Sequence, residues 1–250
     1  MNIIKTKSFE LAIYAKGNTE SPKLALVLPG KLDTKDYAHM RSHVDYLASK
    51  GFLALSFDPP GTWESPGDIQ LYTMTNYLKA VDEITEYYGS KSTFIIGHSR
   101  GATIATIAGV RNPHIFAFAA VMSSFSKGGF QEEVDKEWKI KGFTTTRRDL
   151  PPGGGEKVKE FQIPYSFFED QQKYDLTEDV TSSTKPKLFI LGKSDDLIPP
   201  KTIKETFSLF AEPKELHELD SGHDYRLHPQ LINQVNNFIG NFVDKLHNVL

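Results

Sequence analysis

Gly97 and Gly101 bracket a serine in the pentapeptide Gly97-His98-Ser99-Arg100-Gly101. The apolar run Phe94-Ile95-Ile96 leads into it, and an Ala- and Ile-rich run, 102–108, leaves it. Strand, sharp turn and helix in that order restrict what the chain can fold into. At the tip of such a turn the backbone is strained, and the Ser99 side chain projects away from the sheet. A Cβ at either glycine would collide with the adjoining strand and helix. The first helical turn beyond Ser99 offers unpaired N–H groups and a positive dipole end, which suit a developing oxyanion.

Around this turn the sequence alternates between two periods. Residues 3–7 and 9–15 read as an opening antiparallel pair. Residues 23–28 form a short apolar run ending at Pro29-Gly30, as a buried strand would. Helical spacing follows through Tyr37, Met40, Val44 and Leu47, with Gly51 as the stop. Residues 52–57 are the next strand, ended by Asp58-Pro59-Pro60-Gly61, and Leu71, Met74, Leu78, Val81 and Ile84 recur at helical spacing up to Gly89. Apolar strands are predicted at 115–122 and 187–191. A helix beginning near Pro200, a strand over 215–219 and a last helix through Leu231, Val235, Phe238, Phe242 and Leu246 complete the pattern. Such alternation implies an α/β fold, a mostly parallel sheet flanked by helices.

The rhythm breaks over residues 125–185, which are charged, aromatic and punctuated by Leu150-Pro151-Pro152-Gly153-Gly154-Gly155. The division expected is a core of 1–124 and 186–250 with 125–185 inserted. The insertion is either a cap over the carboxyl ends of the strands or a surface excursion. Long loops are more often functional than not, which favours the cap.

Composition excludes several classes of function. A chain of 250 residues can bury one full core. A net charge of −3 argues against nucleic acid as a partner. With no cysteine, disulfides, thiolate catalysis and cysteine-bound zinc are excluded. There is no H-E-x-x-H pattern, and neither a metal nor an organic cofactor is expected. The first residues lack the basic and apolar segments of a signal peptide, and no run approaches the ~20 apolar residues of a membrane span. The expected location is the cytoplasm.

A serine hydroxyl is a weak nucleophile until a base takes its proton, and histidine is the usual base. A carboxylate fixes the histidine tautomer and stabilises the imidazolium. Partners for Ser99 should lie past the carboxyl ends of strands. Asp195 and Asp196 both follow strand 187–191. Asp195 is the better placed, and Asp196 suits a cap for the helix near Pro200. His223, in Asp220-Ser221-Gly222-His223-Asp224, lies in a glycine-containing loop past strand 215–219 and is the candidate base. Of the other histidines, His39, His43 and His247 fall on predicted helices and are expected to face solvent. His114 and His217 read as structural, His228 as the start of the last helix, and His98 as packed behind the nucleophile.

The order Ser99, Asp195, His223, together with the pentapeptide and the segments 192–199 and 222–223, resembles the α/β-hydrolase fold serine hydrolases over essentially the whole chain. It is similar to capped bacterial esterases and serine aminopeptidase-like hydrolases. The resemblance implies an oxyanion hole built from the backbone N–H groups of Lys31 and Arg100. Here Pro29-Gly30-Lys31 stands where relatives carry His-Gly-x. Many relatives also carry D-x-x-G-x-G-x-S. Asp58, Gly61 and Ser65 match that segment, and Trp63 replaces its second glycine. Trp63, Tyr165 and Phe168 are candidates for the substrate pocket, although for Trp63 packing is the favoured role.

The activity expected is hydrolysis of a small or medium carboxylic ester, a small-molecule acyl substrate, through an acyl-enzyme. Amide, peptide or thioester hydrolysis by the same three residues is the nearest alternative. A non-catalytic ligand-binding homologue is the alternative of another class, and the complete Ser, Asp and His set speaks against it.

Overall fold

The structure is a computed structural model that describes residues 2–123, 132–174 and 177–247. The chain runs β1 (Asn2–Lys5), β2 (Glu10–Lys16), β3 (Lys23–Leu28), α1 (Ala38–Ser49), β4 (Leu53–Phe57), α2 (Met74–Tyr87), β5 (Ser92–His98), α3 (Arg100–Arg111) and β6 (Ile115–Val121). It continues through α4 (Glu132–Lys141), β7 (Phe143–Asp149), β8 (Val158–Pro164), α5 (Ser166–Gln171) and α6 (Thr177–Ser182). It closes with β9 (Lys187–Gly192), α7 (Pro200–Ser208), β10 (Lys214–Leu219) and α8 (Pro229–His247). Eight strands form one sheet in the order β1-β2-β4-β3-β5-β6-β9-β10, and β7 pairs with β8 alone. β1–β2 and β2–β4 are antiparallel, and every later pairing in the large sheet is parallel. This is the sheet that the alternating pattern predicts.

Side-chain alternation along the strands builds two cores, one on each face. Leu24, Leu26 and Leu28 of β3 join the cluster that holds Tyr77 and Val81 of α2 and Ile104 and Ile107 of α3. Ala25 and Val27 join the opposite cluster, with Met40 and Val44 of α1 and Val235 and Ile239 of α8. Both faces are covered, so the central strands read as continuous apolar runs.

Two expectations need correcting here. His39 and His43 do not face solvent: both are fully buried. α1 is covered by α8 as well as by the sheet, which widens its buried stripe beyond the single face that spacing suggested. His43 is held by Asn236 Oδ1 at Nδ1 (2.6 Å) and Tyr225 Oη at Nε2 (2.8 Å). The His247 side chain lies outside the described residues.

Between β6 and β9 the described chain forms α4, the β7–β8 hairpin, α5 and α6, all outside the large sheet. Asp149, at the end of β7, fixes the hairpin to the core. Arg226 Nη1 and Nη2 donate to its two carboxylate oxygens at 2.8 and 2.9 Å, and Tyr37 Oη donates to its Oδ1 and its carbonyl. Arg148 reaches back to donate to the Lys31 carbonyl. Trp63 sits in the left-handed region at φ 47°, the conformation that a glycine at this position would adopt freely. Its Nε1 donates to the Leu32 carbonyl, and its ring packs edge-on against Phe161 of β8.

Candidate active site

The turn at Ser99 has the geometry its sequence demands. Ser99 occupies φ 52°, ψ −118°, between the end of β5 and the start of α3. A Cβ on Gly97 would lie 2.1 Å from the Gly101 carbonyl, and one on Gly101 would lie 2.2 Å from the Leu28 carbonyl of the neighbouring strand. Both glycines are therefore required by backbone packing. A serine preceding a helix ordinarily caps it with its hydroxyl. Ser99 makes no such bond. Its Oγ instead lies 2.8 Å from His223 Nε2.

His223 Nδ1 lies 2.9 Å from Asp195 Oδ2. The other Asp195 oxygen accepts from the amides of Leu197 and Ile198, both at 2.9 Å. Burial pushes the Asp195 carboxyl up, but the His223 bond and the Ile198 and Leu197 amides outweigh it, and the group sits below the ordinary carboxylate range. Asp196 is exposed, and the helix it was expected to cap, α7, is entered at Pro199 with no side-chain cap. The loops carrying Asp195 and His223 meet because Gly192 ends β9 without a side chain: a Cβ there would lie 2.7 Å from the Ser221 carbonyl. The Ser194 amide donates to that carbonyl at 3.0 Å.

Behind His223 lies a buried polar layer that the sequence did not reveal. His98 Nε2 lies 3.0 Å from the His223 carbonyl, and its Nδ1 faces Asp33 Oδ2 at 3.6 Å. Arg148 Nη2 pairs with Asp33 Oδ1 at 3.0 Å. His98 is packed, as expected, and also supports the loop carrying His223. Among the described residues, Asp33, His39 and His98 are the one cluster whose ligand atoms lie within 4.8 Å of one another. A metal there would have to share Asp33 with the Arg148 guanidinium. The only sequence signal for this layer was the position of His98 beside Ser99.

Lys31 and Arg100 flank the serine. The loop carrying Lys31 is held by Tyr77 Oη, which donates to the Pro29 carbonyl, and by Tyr72 Oη, which accepts from the Leu32 amide. Arg100 is the first residue of α3, so its N–H belongs to the turn that has no helical acceptor. A cavity of about 190 Å³ opens at Ser99, lined by Lys31, Met74, Arg100, Thr103, Phe167, Gln171 and Ile198.

The lining differs from the expected pocket. Trp63, Tyr165 and Phe168 are not part of it. Trp63 packs on Phe161, while Tyr165 packs edge-on and Phe168 tilted against Trp138 of α4. Phe167 is the residue that α5 turns toward Ser99. The Phe167 and Phe168 rings both touch Trp138, but neighbours on a helix point about 100° apart, and Phe167 reaches the cavity where Phe168 does not.

A family model for the alpha/beta hydrolase fold matches residues 26–156, just over half of the chain. The chain belongs to the α/β-hydrolase fold family. Among solved structures, α/β-hydrolase domain-containing protein 10 from mouse is similar at 20% identity and TM-score 0.76, with 98% of each chain covered. Est1E from Butyrivibrio proteoclasticus, solved with ferulic acid bound, is 16% identical with TM-score 0.74, over 98% of this chain and 100% of that one. The thioesterase domain from the curacin biosynthetic pathway is 14% identical with TM-score 0.72, over 95% and 98%. At these identities the likeness is one of fold. None of the curated proteins matches the sequence. No described helix of this α/β hydrolase is long and apolar enough to cross a membrane.

Proposed function

We propose that this α/β hydrolase is a serine esterase that cleaves a small or medium carboxylic ester through an acyl-enzyme. One observation carries the reading: the Ser99 hydroxyl is withheld from helix capping and given to His223, which is itself held by Asp195. In this reading Ser99 Oγ attacks the carbonyl carbon as its proton passes to His223 Nε2. The Lys31 and Arg100 amides hold the oxyanion. His223 then protonates the leaving alcohol, and a water activated by the same nitrogen releases the acid. Asp195 keeps the Nδ1 proton in place and balances the imidazolium. The inserted segment is assigned as a cap: its α5 supplies Phe167 and Gln171 to the Ser99 cavity, and the Asp149–Arg226 pair fastens its hairpin.

The test is covalent and kinetic. A fluorophosphonate should label the wild type and spare Ser99→Ala, and short-chain p-nitrophenyl esters should be turned over faster than aminoacyl anilides or acyl thioesters. Folded wild type that neither labels nor hydrolyses any of these would overturn the assignment.

A further inference from the structure

The Ser99 cavity is lined by a buried cation that has no ion-pair contact among the described residues. Arg100 is 8% exposed. Its Nη1 donates to Gln171 Oε1 at 2.6 Å, and its guanidinium lies 4.1 Å from the centre of the Phe167 ring and 5.3 Å from that of Tyr72. Its Nε and Nη2 are buried without an acceptor. Among the described residues it forms no ion pair. Asp170, whose charge acts on it, is already taken up by the Thr75 amide and hydroxyl and by Lys173. Asp33 faces Arg148. Lys31 lines the same cavity with its ammonium 5.6 Å from the Phe167 ring centre. Burial and the charges of Arg100 and Arg148 push that ammonium down to about 8. Gln171 has its carbonyl oxygen committed to Arg100, which leaves its amide N–H groups as donors at the cavity wall.

A buried charge without an ion-pair contact is costly, and one that lines the cavity of a candidate nucleophile points to a ligand that supplies the balance. The position of the cavity says which half of an ester that ligand charge belongs to. A leaving alcohol must lie against His223, which protonates it. His223 does not line the cavity, whereas Lys31 and Arg100, the residues assigned to the oxyanion, do. The cavity therefore receives the acyl chain. Its volume of about 190 Å³ suits a short chain, since a water molecule occupies roughly 30 Å³.

We propose that the enzyme selects esters whose short acyl chain ends in a carboxylate, half-esters of dicarboxylic acids, with Arg100, Lys31 and Gln171 receiving that carboxylate. This inference rests on the esterase reading above and adds its substrate class.

The experiment compares ethyl hydrogen glutarate with ethyl valerate by pH-stat. The expected kcat/KM ratio favours the half-ester by about tenfold or more, as charge-assisted recognition in a shielded site would give. That ratio should fall toward one in Arg100→Met and in Lys31→Met, and it should shrink as NaCl is raised. Two substitutions are used so that a folding failure in one leaves the other informative. Wild type that turns over ethyl valerate as well as the half-ester overturns the proposal while leaving the esterase reading standing. A second arm does not need turnover. Calorimetry with Ser99→Ala should show ethyl hydrogen glutarate binding more tightly than diethyl glutarate. Equal or weaker binding overturns the proposal even if no ester is hydrolysed.

Discussion

Asp195 and Asp196 are chemically identical neighbours, and the structure separates them by where each side chain is sent. Asp195 is buried, with one oxygen on His223 and the other on two amides, whereas Asp196 is exposed. Asp195→Asn is expected to lower kcat by roughly three to four orders of magnitude, because the amide favours the wrong His223 tautomer. Asp196→Asn should stay within about twofold of wild type, as exposed substitutions away from a site do. Steady-state kinetics on a short-chain ester reads both. That Ser99, His223 and Asp195 come together was legible in the sequence because each is a chemically distinctive residue just past a strand. The pocket residues were not. Trp63, Tyr165 and Phe168 are aromatic like Phe167; Trp63 is drawn away by Leu32 and Phe161, and the phase of α5 decides that Phe167 and not Phe168 lines the Ser99 cavity.

At the scale of elements, the part-buried Asp149–Arg226 pair is one of the ties that fasten the β7–β8 hairpin to the core, beside the Arg148–Asp33 pair and the Trp63–Phe161 contact. Burial raises the Asp149 carboxyl, but its bonds to Arg226, Gly154 and Tyr37 prevail, and it is pushed down to about 2. A depressed carboxylate stabilises the fold above its unfolded value near 4 and loses that contribution as pH falls toward about 2. Asp149→Asn is expected to cost about 3 kcal/mol at neutral pH, because it leaves the Arg226 charge buried with only Asp224 beside it. Urea denaturation measures this, and a loss below about 1 kcal/mol would show that the hairpin is held by other contacts. Neither Asp149 nor Arg226 stood out in the sequence. They are 77 residues apart, and a charge pair across that separation has no local signature. The strands and helices did have one, since burial on both faces produces apolar runs and helices facing one core produce a single stripe.

For the molecule as a whole, the core contains histidines that must stay neutral. Burial pushes His43 down to about 4, against a weaker opposing effect from its bond to Asn236, and burial also drives His39 well below its ordinary value. The unfolded chain takes up these protons at about pH 6.5 and the folded chain does not. Stability is therefore fully present above pH 6.5 and falls as the pH drops from 6.5 toward 4, by roughly 3 kcal/mol for His43. Thermal denaturation across that range should show the decline, and His43→Gln should flatten its slope even if the variant is less stable at pH 7. An unchanged slope would place the acid sensitivity elsewhere. The sequence by itself determined the fold class, the turn at Ser99 and the order of its partners. Backbone periodicity, glycines at close approaches and strand-end loops are local properties that one chain segment declares alone. Tertiary structure alone decided that α8 covers α1 and buries His39 and His43, that a hairpin from the insertion clamps Arg226, and that Arg100 lies buried beside Ser99 with no ion-pair partner among the described residues. Each of these depends on which distant segment arrives to exclude water, and exclusion of water sets the cost of a charge.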